Sequence, residues 1–160
     1  MTSEQTPFPA IAAGLLQTVE SAVPKLLSMS DADASRPSAP GKWAPKQVIG
    51  HLIDSASNNH QRFVRGQISS MQVFLGYEQE QWVRIQHYQT ARWNDLIDLW
   101  RAYNMHQLHV AECMSEEGQH AVCRVGTGAE VTLAELFVDY VAHLDHHLRK
   151  MLGGWEPSLD

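Results

Sequence analysis

The sequence is poor in the features that would assign it to several common functional classes. It has only two cysteines in 160 residues, Cys113 and Cys123, and they match no CxxC pattern. A reducing compartment keeps such thiols free, so no structural disulfide is expected. Basic residues are also scarce: 12 Lys and Arg stand against 18 Asp and Glu, a formal net charge of −6 with no basic run. That balance argues against nucleic-acid or anionic-membrane partners, which require a basic face. No apolar stretch reaches the roughly 18–20 residues that cross a bilayer. The opening segment "MTSEQTPFPA" lacks the basic and apolar regions of a signal peptide, which leads to the expectation of a cytoplasmic protein. Alternating strand patterns, internal repeats and low-complexity tracts are missing as well.

What remains is an amphipathic helical chain, expected to fold as a single domain over residues 1–160 with its core in about 8–152. A domain of this length buries enough surface for a core without staples. Ile11, Leu15, Leu16, Val19, Val23, Leu26 and Leu27 recur at helical spacing over residues 9–29, with Pro24 expected to bend or break that helix late. "SDADASRPSAPGK" reads as a connecting loop. Pro45 suits the first turn of a second helix running to Gly66, with Val48, Ile49, Leu52, Ile53, Ala56 and Phe63 on its apolar arc. Residues 78–87 form a short extra helix in this reading, and a third long helix spans Thr90–Glu117. A glycine-broken loop follows. Thr132 and Glu135 then form a capping box that opens a fourth helix, which ends at Gly153-Gly154. The fold class is therefore all-α, a four-helix bundle.

Nine histidines are more than average usage gives, and their positions matter more than their number. "YVAHLDHHLRKML" places His143 and His147 one helical turn apart, beside the apolar arc and in one stripe with Leu136 and Tyr140. His146 falls on the polar face. An i, i+4 histidine pair is the geometry of metal-binding HxxxH segments, although such a pair also occurs incidentally on solvated helices. Two ligands hold a metal poorly. His51, at the edge of the second helix's apolar arc with Ser55, Asn58 and Arg62, is the best third ligand, although a histidine there is more often an ordinary core residue. His106 and His109 plot outward, and His60, His87 and His120 are placed at or near irregular segments; all five are expected in solvent.

"GKWAPKQVIGHLIDSASNNHQRFVRG" resembles the opening of the second helix in the DinB/YfiT-like superfamily of metalloenzymes, W-(S/T/A)-P-x-(E/Q)-(V/I)-(L/I)-x-H-L-x-D. Trp43, Pro45, Gln47, Val48, His51, Leu52 and Asp54 occupy matching places. "GYEQEQWVRIQHYQ" and "TLAELFVDYVAHLDHHLRKM" are similar to that family's middle segment and closing helix, so the resemblance covers roughly residues 8–152. It implies a four-helix bundle of unusual chain order and a divalent metal on His51, His143 and His147. Gln47, where many members have Glu, and the additional His146 are departures that remove no ligand. The resemblance also implies a homodimer.

Three imidazoles without a carboxylate leave a coordination position open, as catalytic zinc requires, and Zn²⁺ or Ni²⁺ suits them. Such an ion lowers the pKa of water to about 7 or holds a thiol as thiolate. By analogy with thiol S-transferases that resemble this family, the leading expectation is attack of a low-molecular-weight thiol on a small electrophilic substrate. A hydrolase is the alternative enzyme, and a non-catalytic, stress-related metal-binding dimer the alternative outside catalysis. Asp54 and Asp139 plot beyond the ligand stripe and are expected as supporting or surface carboxylates rather than as a base. A ferritin-like di-metal site is rejected, since its Glu-x-x-His spacing occurs only at Glu117–His120, in a loop.

Overall fold

The computed structural model describes residues 8–153. Four long helices make the bundle: α1 (Phe8–Leu27), α3 (Pro45–Ile68), α5 (Trp93–Glu112) and α7 (Leu133–Leu152). Short helices α2 (Asp31–Ala34), α4 (Gln79–Ile85) and α6 (Glu116–Gln119), and a 3₁₀ turn at Tyr88–Thr90, connect them. Three brief strands, β1 (Gln72–Phe74), β2 (Val122–Val125) and β3 (Glu130–Thr132), form one small sheet.

The four-helix bundle and its extra helix between the second and third long helices agree with the sequence reading, and local details differ for identifiable reasons. Pro24 lies inside α1 without ending it, because only the last turn follows the lost donor. Leu16 and Leu27 are exposed, while Leu15, Val19, Ala22 and Leu26 carry the buried face. The loop after α1 contains α2, capped by Ser30, whose hydroxyl accepts from Asp33 N–H at 3.1 Å. Four residues are too few to show a period. The third long helix is shorter than expected at both ends. Residues 88–90 form a separate 3₁₀ turn, Cys113 caps α5, and Ser115 starts a new helix by accepting from Gly118 N–H at 3.0 Å.

The glycine-containing segment after α6, expected as loop, contains β2 and β3. Strands of three or four residues leave no readable alternation, and their pairing is long-range. β1 runs parallel to β2, with Val73 opposite Arg124, and β2 runs antiparallel to β3, with Cys123 opposite Val131. Because β1 follows α3 and β3 leads directly into α7, this sheet ties the end of α3 to the start of α7. The Thr132–Glu135 capping box sits at that junction, with Thr132 N–H donating to Glu135 Oε2 at 2.8 Å. α7 stops at Gly153, whose φ is +48°; Gly154 lies outside the described residues.

The long helices do not pack in chain order. α1 lies against α5 and α7, and α3 against α5 and α7, so the second and fourth long helices are neighbours. Gly66 meets Leu133, Phe63 meets Phe137 and Tyr140, and His51 meets His143 and His147, a succession that makes α3 and α7 antiparallel. The core between the helices contains Trp93, Trp100, Phe63 and Phe137 with Leu15, Leu26, Ile49 and Leu144. Trp93 donates its indole N–H to Leu26 O at 2.9 Å, satisfying the polar atom of an otherwise buried ring.

Candidate metal centre

The opening of α3 sets the first histidine. Pro45 occupies the first turn, and Gln47 Oε1 accepts the Ala44 N–H at 2.9 Å. A glutamine carbonyl here performs the capping role that a glutamate would. Gly50 lets the Tyr88 ring press directly onto the helix, where a Cβ would collide with it. Tyr88 then donates its hydroxyl to Asp54 Oδ1 at 2.6 Å, and Gln86 Nε2 donates to the same oxygen at 2.7 Å. Asp54 is thus buried, not at the surface, and it fastens the 86–88 segment to α3. Burial pushes its carboxyl pKa up, against the lowering effect of these two hydrogen bonds.

His51, with no exposed surface, projects from this same turn of α3. Its Nε2 lies 3.1 Å from His143 Nε2, which lies 3.2 Å from His147 Nε2. One ligand atom from each of the three histidines falls within 4.8 Å of the others. Trp43 packs on the His51 ring with centroids 5.2 Å apart. Burial, followed by the neighbouring His147 and His143, lowers the His51 pKa to about 3. Burial, then His143, His146 and Lys150, lowers that of His147 to about 4, and His143 is lowered chiefly by burial.

These side chains are therefore neutral near neutral pH, with ring nitrogens facing one another. A neutral imidazole has one N–H and one lone pair, so three converging nitrogens cannot all be satisfied by bonding among themselves. His51 Nδ1 is also buried without a hydrogen-bond partner. A cation resolves the crowding of lone pairs. Zn–N bonds of about 2.0–2.1 Å at tetrahedral angles place ligand nitrogens about 3.3 Å apart, close to the observed spacings. The donor set fits a divalent ion.

Among the described residues, cavities on two sides reach the cluster. One of about 360 Å³ has His147 on its wall, with Trp43, Met151 and the cationic Arg36, Lys42 and Lys150. Another of about 210 Å³ has His143 on its wall, with Ser55, Asn59, Arg62, Tyr77 and Asp139. Asp139 is exposed there. Asn58, which shares the His51 stripe on a helical wheel, instead donates to Asp54 O at 2.9 Å, and Asn59 takes the place facing the cavity. Tyr77 was not identifiable from periodicity, because it precedes α4 in a segment without any.

His146 lies on the exposed face as expected, as do His87, His106, His109 and His120. His60 does not. It sits in the middle of α3, partly buried, with Nδ1 3.2 Å from the Tyr103 hydroxyl. No helix of the described residues is long and apolar enough to cross a membrane.

The chain resembles known proteins both in sequence and in fold. A protein of Bacillus licheniformis named as a candidate metal-dependent hydrolase is 23% identical over 121 residues, covering 75% of this chain and 69% of that protein. The solved structure of YfiT from Bacillus subtilis, described as a probable metal-dependent hydrolase with an unusual four-helix bundle topology, superposes with a TM-score of 0.82. It is 20% identical and covers 98% of this chain and 94% of its own. The family model of the DinB superfamily matches residues 15–151, and the chain belongs to that superfamily.

Proposed function

We propose that this protein is a metal-dependent hydrolase of small molecules, with His51, His143 and His147 as the ligands of one divalent ion, Zn²⁺ or Ni²⁺. The observation that carries this reading is the convergence of three neutral imidazole nitrogens with no carboxylate among them. An ion held this way keeps a coordination position open and supplies the Lewis acidity that makes water reactive at neutral pH. The protein's own groups supply the rest. α3 and α7 fix the three rings, Trp43 shields His51, and Asp139 is the carboxylate on the His143 cavity that is available to accept a proton. The hydrolase names of the two relatives support the same direction. A thiol S-transferase uses the same ligand set, and no group in either cavity favours a thiol over water.

The test is direct. Metal analysis of chelator-free protein is expected to give about one divalent ion per chain, and activated esters and amides are expected to turn over without added thiol. An empty site in metal-replete protein would sink the assignment. Turnover that occurs only with a low-molecular-weight thiol would replace hydrolase by transferase.

A further inference from the structure

Arg62 is 8% exposed on α3, on the wall of the same cavity as His143. Burying a charge is costly unless an opposite charge compensates it. The Arg62 guanidinium has only neutral acceptors: Nη1 donates to Asn59 Oδ1 and Nη2 to Leu75 O, both at 3.3 Å. Among the described residues it forms no ion pair, and Asp139, the carboxylate on this wall, does not reach it. A guanidinium has five N–H donors in a planar fork, and two long contacts to neutral oxygens leave much of that capacity unused. Arginine does not shed its proton to escape the cost. In a chain whose net charge is −6, a buried cation without a carboxylate is an unusual expense, and it faces an open cavity.

We infer that the cavity shared by His143 and Arg62 is an oxyanion pocket, and that the substrate carries a carboxylate that docks on the Arg62 guanidinium. The inference rests on the hydrolase reading for the identity of the reaction, but not for the binding itself. A bidentate carboxylate matches the fork and supplies the missing countercharge. The Tyr77 hydroxyl on the same wall, which the Ser55 side chain hydrogen-bonds, is a further donor to it. A volume of about 210 Å³ admits a small organic anion, whose remaining atoms extend toward His143. Arg62 is then a specificity-determining residue: it selects and orients an anionic substrate while the three histidines face the bond to be cleaved. The competing role is mechanical, since the bond to Leu75 O also pins the segment between β1 and α4.

The experiment uses the zinc-loaded full chain and two probes of one shape, acetate and acetamide, followed by the Arg62 side-chain N–H signals in NMR. Acetate is expected to shift those signals saturably and acetamide to leave them in place. In Arg62→Gln, acetate affinity, read from backbone amides of residues 55–62, is expected to fall about tenfold or more, with Arg62→Lys between the two and zinc content unchanged. Equal responses to both probes in the wild-type protein, or equal acetate affinity in Arg62→Gln, would overturn the proposal. The wild-type comparison decides the matter even if a variant fails to fold. Hydrolysis of 4-acetoxybenzoate and of its methyl ester separates the two readings. If both esters are inert while acetate binding follows Arg62, the hydrolase assignment fails and the pocket stands. If both turn over equally and acetate ignores Arg62, the pocket fails and the hydrolase stands.

Discussion

The molecule contains two histidine groups built from similar parts. In each, α3 supplies one member and a neighbouring long helix supplies a closely spaced pair: His51 with His143 and His147 of α7, and His60 with His106 and His109 of α5. In the first group the nitrogens converge within 4.8 Å. In the second, His60 stacks edge-on against His106 with centroids 4.9 Å apart, His60 turns Nδ1 toward the Tyr103 hydroxyl, and His109 lies beside Cys113 at 3.8 Å. These rings engage different neighbours and share no centre. Histidine count and helical spacing are thus insufficient; burial and a common focal point make the difference.

The comparison predicts its largest contrast in metal content. His51→Ala or His147→Ala is expected to reduce bound divalent ion from about one per chain to near zero, while helical circular dichroism is largely kept. His106→Ala is expected to leave metal content unchanged. Retention of the ion in His147→Ala would mean that the ligands are misassigned.

The next contrast concerns the scaffold. His51 is oriented by a turn of α3 pressed against Tyr88, and this contact is possible only because residue 50 lacks a Cβ. Gly50→Ala forces the Tyr88 ring away and strains its bond to Asp54, so a loss of about 1–3 kcal/mol of stability is expected, typical of overpacking. Denaturant titration reads this, and a neutral result would mean that the 88–90 turn is free to shift.

Burial lowers the pKa of His60 in the second group as well, but the larger shifts are in the first. In metal-free protein, His51 and His147 have folded pKa values of about 3 and about 4 against an ordinary 6.5. The unfolded chain takes up protons below about pH 6.5 that the folded chain refuses. The stability contribution of the neutral rings is therefore complete above that pH and is lost as pH falls toward 4 and then 3. Urea midpoints measured from pH 7 down to pH 4 are expected to fall monotonically, and to fall less in His147→Gln. Equal slopes for the two proteins would remove His147 as a source of the acid sensitivity.

Much of this architecture was legible in the sequence, and the exceptions have physical causes. The long helices, the Thr132–Glu135 capping box and the shared stripe of His143, His147 and Tyr140 follow from a period that repeats over several turns. The inward position of His51 followed from the same period. The sheet did not, because β1 and β2 pair across some fifty residues and neither is long enough to alternate. Asp54 was placed beyond the ligand stripe, as a supporting or surface carboxylate, and it is buried because Tyr88 and Gln86 come from a separate segment to cover it. His60 was expected in solvent although it lies within the helix read to Gly66, because its contact with Tyr103 depends on how α5 packs. Arg62 was in the His51 stripe from the start; its missing countercharge is visible only in three dimensions.

The smallest predicted effect lies in the second group itself. His106 is exposed, and its ring contacts His60 without a hydrogen bond between them. Its replacement by Gln is expected to change stability by no more than about 0.5 kcal/mol, the usual range for surface substitutions. His60→Gln is expected to cost slightly more, about 1 kcal/mol, because it removes a partly buried ring and frees the Tyr103 hydroxyl of a partner. Neither variant is expected to alter metal content or ester turnover. A loss of metal in His60→Gln at unchanged stability would erase the distinction, because the two groups would then be coupled through α3, the one helix that they share.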